Sequence, residues 1–147
     1  METFNYTKDT FKFRKNTFNP DIEIIALTSS RIDSCIEYIK RNNIKGIEIN
    51  AQYGSYRFND LNVLNHLINC DIKVIELVDD FKDITIINEF KNLEQLRITE
   101  NKTSRINFEN FPNLKSLFLY DNKNLINIDK ATKLERLEVV NLNKASK

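Results

Sequence analysis

Acidic side chains are the residues in this sequence whose type and spacing could do chemistry. The segment "VDDFKD" holds Asp79, Asp80 and Asp83, and "LYDNKN" holds Asp121. Paired carboxylates can act as general acid and base, and oxygen ligands that alternate around a tight loop bind Ca²⁺. Neither segment has the Gly and the terminal Glu of a calcium loop, so we expect neither a metal site nor a cofactor.

Nucleophilic and metal-ligating residues are scarce. His66 is the only histidine, and it lies between the inner-face positions of a segment with helical spacing, so we expect it to be exposed. Cys35 and Cys70 fit none of the paired spacings of zinc or redox sites. Both adjoin apolar residues, which favours buried, reduced thiols, with a disulfide as the alternative. No catalytic triad can be assembled from these residues, and we predict that the protein is not an enzyme.

Composition excludes several other classes. The chain has 147 residues, with 22 Lys and Arg against 21 Asp and Glu, so we expect no nucleic-acid partner. With only 2 Gly, Gly-dependent phosphate loops are disfavoured. The first residues carry charges throughout, and no apolar run approaches the roughly 20 residues that span a bilayer. We therefore expect a single-domain cytoplasmic protein that does not contact membranes.

These acidic residues lie in or next to a nine-residue sequence motif that recurs along the chain and is called the phrase below. "LEQLRITEN" at 93–101 and "LKSLFLYDN" at 114–122 share the frame L-x-x-L-x-L-x-x-N, with Ile or Val allowed for Leu. Four looser copies begin at residues 22, 44, 72 and 134, so the intervals run from 20 to 28 residues. Such a period indicates a stack of similar structural units.

The frame and its period resemble those of the leucine-rich repeat family, over roughly residues 22–142. The resemblance implies an α/β fold, a short solenoid with a parallel sheet on its concave face and helices and irregular segments on its convex face. The L-x-L part alternates as a strand should, so that the Leu rows form one core. At the ninth position Asn101 and Asn122 are expected to bond backbone groups that the turn leaves unpaired.

The segments between the phrases predict the connecting elements. Apolar spacing predicts a helix over 31–41 that begins with a capping box of Ser30 and Asp33. A second helix is expected after Asn59 or Asp60, with Leu61, Leu64, Leu67 and Ile68 inward. A shorter helix is expected at 84–90, and single turns or irregular segments after it.

The domain organisation follows from these elements. Phe4, Tyr6, Phe11 and Phe13 alternate around "TKDT", which predicts an N-terminal hairpin lying over the first repeat. We assign residues 1–21 to this N-terminal cap, 22–142 to about six repeats and 143–147 to a tail, all in one domain. No covering element is evident after the last strand, whose open edge is an interface or a liability.

Residues three, five and seven of each phrase are predicted to point to the concave side. Two aromatic residues on one strand, Phe118 and Tyr120, are expected to anchor an interface beside Arg97 and Arg136 on neighbouring strands. Carboxylates around them would form an acidic rim. The predicted protein-binding residues are Glu48, Glu76, Asp79, Arg97, Glu100, Phe118, Tyr120, Asp121, Arg136 and Glu138. Two alternatives stay open, since strands favour aromatic residues and a charged face can simply be solvated.

Three functions follow as hypotheses. The first is a protein-binding module that uses its concave face, and more specifically a small bacterial immunity protein, a toxin inhibitor whose acidic rim would suit a basic toxin domain. The second is a structural module that forms homodimers through its last strand, with Val139, Val140 and Leu142 buried between two copies. The third is an enzyme that works through carboxylates such as Glu76.

Overall fold

The computed structural model describes residues 4–52 and 56–140. The chain forms one α-helix, five 3₁₀ segments and ten strands within those ranges. The strands are β1 (Tyr6–Lys8), β2 (Phe11–Lys15), β3 (Glu23–Ala26), β4 (Gly46–Asn50), β5 (Val74–Asp80), β6 (Gln95–Glu100), β7 (Ile106–Asn107), β8 (Ser116–Tyr120), β9 (Leu125–Ile126) and β10 (Arg136–Val140). Eight of them form a sheet in the order β1-β2-β3-β4-β5-β6-β8-β10, and β7 pairs with β9. The fold is therefore α/β with a mostly parallel sheet.

The N-terminal hairpin is confirmed, but its place differs from the prediction. β1 and β2 pair antiparallel, and the turn residues Asp9 and Thr10 have φ of 51° and 67°, as tight two-residue hairpins require. β2 pairs antiparallel with β3, so the hairpin extends the sheet at its edge instead of lying over the first phrase. This arrangement satisfies the edge of β3 through backbone hydrogen bonds.

From β3 onward every neighbouring pair in the large sheet is parallel, and each repeated phrase supplies one strand. The third residues of the phrases are register partners in one continuous row: Ile24, Gly46, Val74, Gln95, Ser116 and Arg136. The fifth residues form the next row: Ala26, Glu48, Glu76, Arg97, Phe118 and Glu138. The alignment of these residues in two rows is therefore confirmed. The seventh residues of the phrases do not form such a continuous row, because the register of β5 and β6 shifts between Leu77 and Asp80.

The helix α1 (Ile32–Asn42) packs Cys35, Ile36 and Ile39 into the core, as its apolar spacing predicts. The predicted capping box is wrong. A 3₁₀ turn over Ser29–Arg31 precedes the helix, Arg31 takes the N-cap position, and no side chain there accepts a capping hydrogen bond. The helix ends at Asn43, which adopts the left-handed conformation with φ of 52°, a common way to terminate a helix.

The other connections are 3₁₀ segments, and the apolar spacing of three explains them. They cover Asn62–Leu67, Thr85–Glu89, Phe108–Asn110 and Ile128–Lys130. Buried residues recur at every third position, as in Leu61, Leu64 and Leu67, and a 3₁₀ helix has three residues per turn. The expected second and third helices are therefore 3₁₀, and Leu61 occupies the N-cap position for which Asn59 or Asp60 was expected.

The two asparagines at the ninth phrase position bind backbone groups as predicted. The buried Asn101 amide donates to the carbonyls of Ser104 and Lys123 at 2.8 and 3.1 Å, and its oxygen accepts from the Ser104 N–H at 3.0 Å. Asn122 donates to the Ile98 carbonyl at 2.9 Å. These amides therefore tie successive turns together at the end of the strands.

Both cysteines are free thiols, and the prediction that both are buried is confirmed for Cys35 alone. Cys35 is buried, and burial raises the pKa of its thiol, which makes it a poor nucleophile. Cys70 is half-buried. In the described ranges, no helix is both long and apolar enough to cross a membrane. Leu142 and the predicted tail at 143–147 lie outside the described residues.

Candidate functional site on the polar face of the sheet

The polar face is the side of the sheet opposite α1, and it carries the third- and fifth-residue rows defined above. Its centre is a chain of ion pairs that links four strands of the sheet. The Arg14 guanidinium on β2 lies 3.2 Å from a Glu48 carboxylate oxygen on β4 and also pairs with Glu76 on β5. The other oxygen of Glu76 accepts from Nε of Arg97 on β6 at 3.0 Å. Glu76 and Arg97 are register partners on adjacent strands, and such a pair of opposite charges stabilises strand pairing.

This ion-pair chain is buried, contrary to expectation. Arg14, Glu48 and Glu76 are each only 3% exposed, so Glu48 and Glu76 do not belong to an accessible acidic rim. Burial raises the pKa of Glu48, although the charge of Arg14 acts in the opposite direction. The ring of Phe4 lies 5.3 Å from the Arg14 guanidinium on this same face. The two carboxylates are therefore paired with a guanidinium group and shielded from solvent.

A segment of the chain covers the part of the polar face that lies near the amino-terminal ends of the strands. This strap comprises residues 16–22, between β2 and β3. Its ends are joined by a hydrogen bond of 2.9 Å from the Asn16 N–H to the Ile22 carbonyl, and Ile22 packs against Ile24 and Val74. The strap is thus a compact loop folded onto the sheet.

The strap buries Phe118, one of the two predicted anchors. The ring of Phe18 stacks on that of Phe118, and the Arg97 guanidinium lies 4.7 Å from the Phe118 ring. Phe118 is therefore 6% exposed, whereas Phe18 is 43% exposed. The expectation that Phe118 is an exposed ring is wrong, because the chain's own strap occupies that position. Arg136 lies 4.4 Å from the Phe18 ring and donates to the Ser116 hydroxyl at 3.1 Å.

Tyr120 stays accessible and extends the polar chain to the last strand. Its hydroxyl accepts from Nη1 of Arg97 at 3.4 Å and donates to the Glu138 carboxylate at 3.1 Å. Arg97 and Tyr120 are half-buried and Glu138 is exposed. The structure thus brings these three predicted residues together on the uncovered half of the face, and it fixes the orientation of the Tyr120 ring.

The acidic rim lies beside them, where strands β5, β6 and β8 end. Asp80 is the register partner of Glu100, and Lys102 lies 3.0 Å from a Glu100 oxygen. This hydrogen bond raises the pKa of Lys102, and the charges of Asp80 and Asp121 act in the same direction. Glu100 therefore pairs directly with the Lys102 ammonium group, and Asp80 and Asp121 act on it through their charge. The carboxylate of Asp79 accepts from the Asp80 N–H at 2.7 Å.

Asp83 is a turn residue and not part of this rim. Its carboxylate accepts from the Thr85 N–H at 2.9 Å and from the Thr85 hydroxyl at 2.8 Å. These hydrogen bonds lower the pKa of Asp83. His66 is exposed. Over the residues that the structure describes, no three His, Cys, Asp or Glu side chains are grouped so that they could hold a metal ion.

A small groove of about 160 Å³ separates the strap from the sheet. Asn16 and Phe18 line it on the strap side, and Gln95, Ser116 and Arg136 line it on the sheet side. Gln95 is 4% exposed, and its carbonyl oxygen accepts no hydrogen bond from any described residue. An unpaired buried oxygen is costly, so Gln95 is a site of local instability at this groove.

Comparisons with known proteins do not indicate a function for this chain. No family model matches the chain, and searches of curated proteins and of solved structures give no significant match. Function is therefore inferred from the structure, from which side chains of the polar face are accessible and which are fixed by their neighbours.

Proposed function

We propose that the protein is a binding module for another protein. Its contact surface consists of Arg97, Tyr120 and Glu138 together with the rim residues Asp79, Asp80, Glu100 and Asp121. The observation that carries this proposal is the Tyr120 ring, which is partly exposed and yet held between Arg97 and Glu138. Tyr and Arg are the residues that most often dominate binding energy. Side chains already fixed in place lose little entropy on binding.

The repeat resemblance supports the same function. We propose that the parallel strands belong to a short leucine-rich-repeat-like solenoid whose polar face is concave. Support comes from the register of the third and fifth rows, in which each phrase contributes one strand. Stacked repeats of this kind present extended surfaces to partners.

Charge suggests the class of partner. Glu100 pairs with Lys102, and the charges of Asp80 and Asp121 act on the same ammonium group, so this end of the surface would attract a basic protein and speed its association. We therefore keep the more specific hypothesis of a cytoplasmic bacterial immunity protein that neutralises a basic toxin domain by covering its active surface.

Binding fits the geometry better than catalysis does. Glu76, the carboxylate named in the enzyme hypothesis, is buried and paired with Arg14, and so is Glu48. A general acid or base must come within hydrogen-bond reach of the substrate. We propose that these two carboxylates stabilise the sheet.

The proposal is tested by capture from a lysate of the source organism with matched variants. The contact variant carries Tyr120→Ala and Asp121→Asn, and Asn is chosen at position 121 because it tolerates the positive φ of 37° there. The control variant carries Glu37→Gln and Lys40→Ala, two exposed positions on α1.

We expect one protein to be retained by the wild type and the control and lost by the contact variant, with unchanged melting of all three. Equal retention by all three would place the interface elsewhere and refute the proposed surface. The partner's net charge then tests the basic-partner hypothesis.

A further inference from the structure

The last strand of the sheet leaves two core positions uncovered. Leu137 and Val139 are the register partners of Leu117 and Leu119, which are buried in the core. Leu137 and Val139 themselves are 54% and 58% exposed. Within residues 4–52 and 56–140, β10 pairs with β8 alone. The apolar rows of the core therefore run to the edge of the sheet and end in solvent.

The backbone of β10 also has groups available for pairing. The Arg136 N–H donates to the Lys115 carbonyl at 3.0 Å, and the Val140 carbonyl accepts from the Asp121 N–H at 2.8 Å. Alternate residues of a strand direct their N–H and C=O groups to opposite sides. The groups of Leu137 and Val139 therefore point away from β8, toward the free edge.

We propose that two copies of this chain pair antiparallel through β10, about a twofold axis at Leu137. The two Leu137 residues then exchange both backbone hydrogen bonds. The two sheets join into one, and the Leu137 side chains meet across the axis on the apolar face. Unpaired edge strands with apolar residues are known templates for such pairing.

The charges on β10 favour this register over the two registers whose axis lies one residue away. An axis at Leu137 places Arg136 directly opposite Glu138 of the second copy, and the symmetry makes this pair twice. An axis at Glu138 would place two carboxylates opposite each other, and an axis at Arg136 two guanidinium groups. Opposite charges stabilise a cross-strand pair and like charges destabilise it.

Both charged side chains are already oriented on the polar face. Arg136 donates to the Ser116 hydroxyl, and Glu138 accepts from the Tyr120 hydroxyl. The pairing of opposite charges between strands, seen from Arg14 to Arg97, thus continues across the new interface. Glu138 belongs to both proposed surfaces, but this inference rests on the exposed edge of β10 and not on the proposed binding of another protein.

The test is the mass in solution, measured by sedimentation, of charge-exchanged variants. Arg136→Glu alone sets two carboxylates opposite each other, and Glu138→Arg alone sets two guanidinium groups together, so we expect each variant to be monomeric. Mixing the two variants restores both opposite-charge pairs, so we expect the mixture to form dimers like the wild type. Glu37→Arg on α1 is the control and should stay dimeric.

Three results would overturn the proposal. One is a wild type that stays monomeric at the highest concentration reached. A second is dimerisation that survives Arg136→Glu, since that would require another register or surface. The third is a monomer that dimerises only when residues 141–147 are removed, since the chain's own tail would then occupy the edge.

Discussion

The rings of Phe18 and Phe118 stack with their centroids 5.7 Å apart and their planes inclined by 17°. Phe18 lies in the strap beside β2 and β3, whereas Phe118 lies on β8, so this contact joins distant parts of the sheet. It covers the part of the polar face near the amino-terminal ends of the strands and leaves the surface around Tyr120 accessible. The same contact therefore determines which predicted residues are available to a partner.

Removing the upper ring of this stack tests how firmly the strap is held. Phe18→Ala should lower the free energy of unfolding by roughly 1 kcal/mol, because aromatic pairs contribute about that much beyond burial. It should also expose Phe118 and increase the fluorescence of a hydrophobic dye. Urea denaturation and dye binding measure the two effects. Unchanged dye binding would mean that the strap stays closed without the ring.

Exchanging the carboxylates of the buried ion-pair chain should have unequal effects. Glu76→Gln leaves both Arg14 and Arg97 without their shared carboxylate, and breaking a buried pair costs about 3–5 kcal/mol. Glu48→Gln should cost much less, because Arg14 keeps Glu76 and burial already disfavours the Glu48 charge. Urea denaturation at neutral pH compares the two variants. Equal losses would contradict the central position assigned to Glu76.

Gln95 offers a stabilising substitution. Its buried oxygen accepts no hydrogen bond from the described residues, so Gln95→Met should raise the free energy of unfolding by about 1 kcal/mol. Ser116→Ala in the same groove is the control and should not stabilise, because it removes the acceptor of the Arg136 hydrogen bond. Thermal and urea denaturation provide the measurement. A loss of stability in Gln95→Met would contradict this prediction.

The Asp83 turn predicts a pH dependence. Hydrogen bonds from the N–H and hydroxyl of Thr85 lower the pKa of Asp83 below its usual 3.8. A carboxylate with a lowered folded-state pKa contributes stability above its unfolded pKa and loses it as the pH falls through the folded value. The stability difference between wild type and Asp83→Asn should therefore be largest at neutral pH and shrink below 3.8. A difference that is constant with pH would exclude this contribution.

The strand rows were predictable because their signal is local. Strand side chains alternate with a period of two, and the repeated phrase supplied the same phase on every strand, so Glu76, Arg97 and Phe118 fell into one row. The connecting elements were predictable only in part. Spacings of three, as in Ile84, Ile87 and Phe90, indicate 3₁₀ turns, yet they also resemble helical spacing.

The covering of the polar face had no signal of that kind. Phe18 lies outside the repeated phrases and meets Phe118 across most of the chain, so no periodicity connects them. The sequence therefore predicted that Phe118, Glu48 and Glu76 are accessible, whereas the structure buries all three. The contact of Arg14 with Glu48 and Glu76 was missed for the same reason, since Arg14 belongs to the hairpin.

The central claim, that the Tyr120 surface binds another protein, is tested most directly by affinity. The partner retained in the capture experiment would be titrated calorimetrically against the wild type, Tyr120→Ala and the α1 control Lys40→Ala. We predict that Tyr120→Ala weakens binding at least about tenfold, as expected for a dominant interface residue, while Lys40→Ala binds like the wild type. Unchanged affinity for Tyr120→Ala with a loss for Lys40→Ala would contradict the claim and place the interface on the helical side.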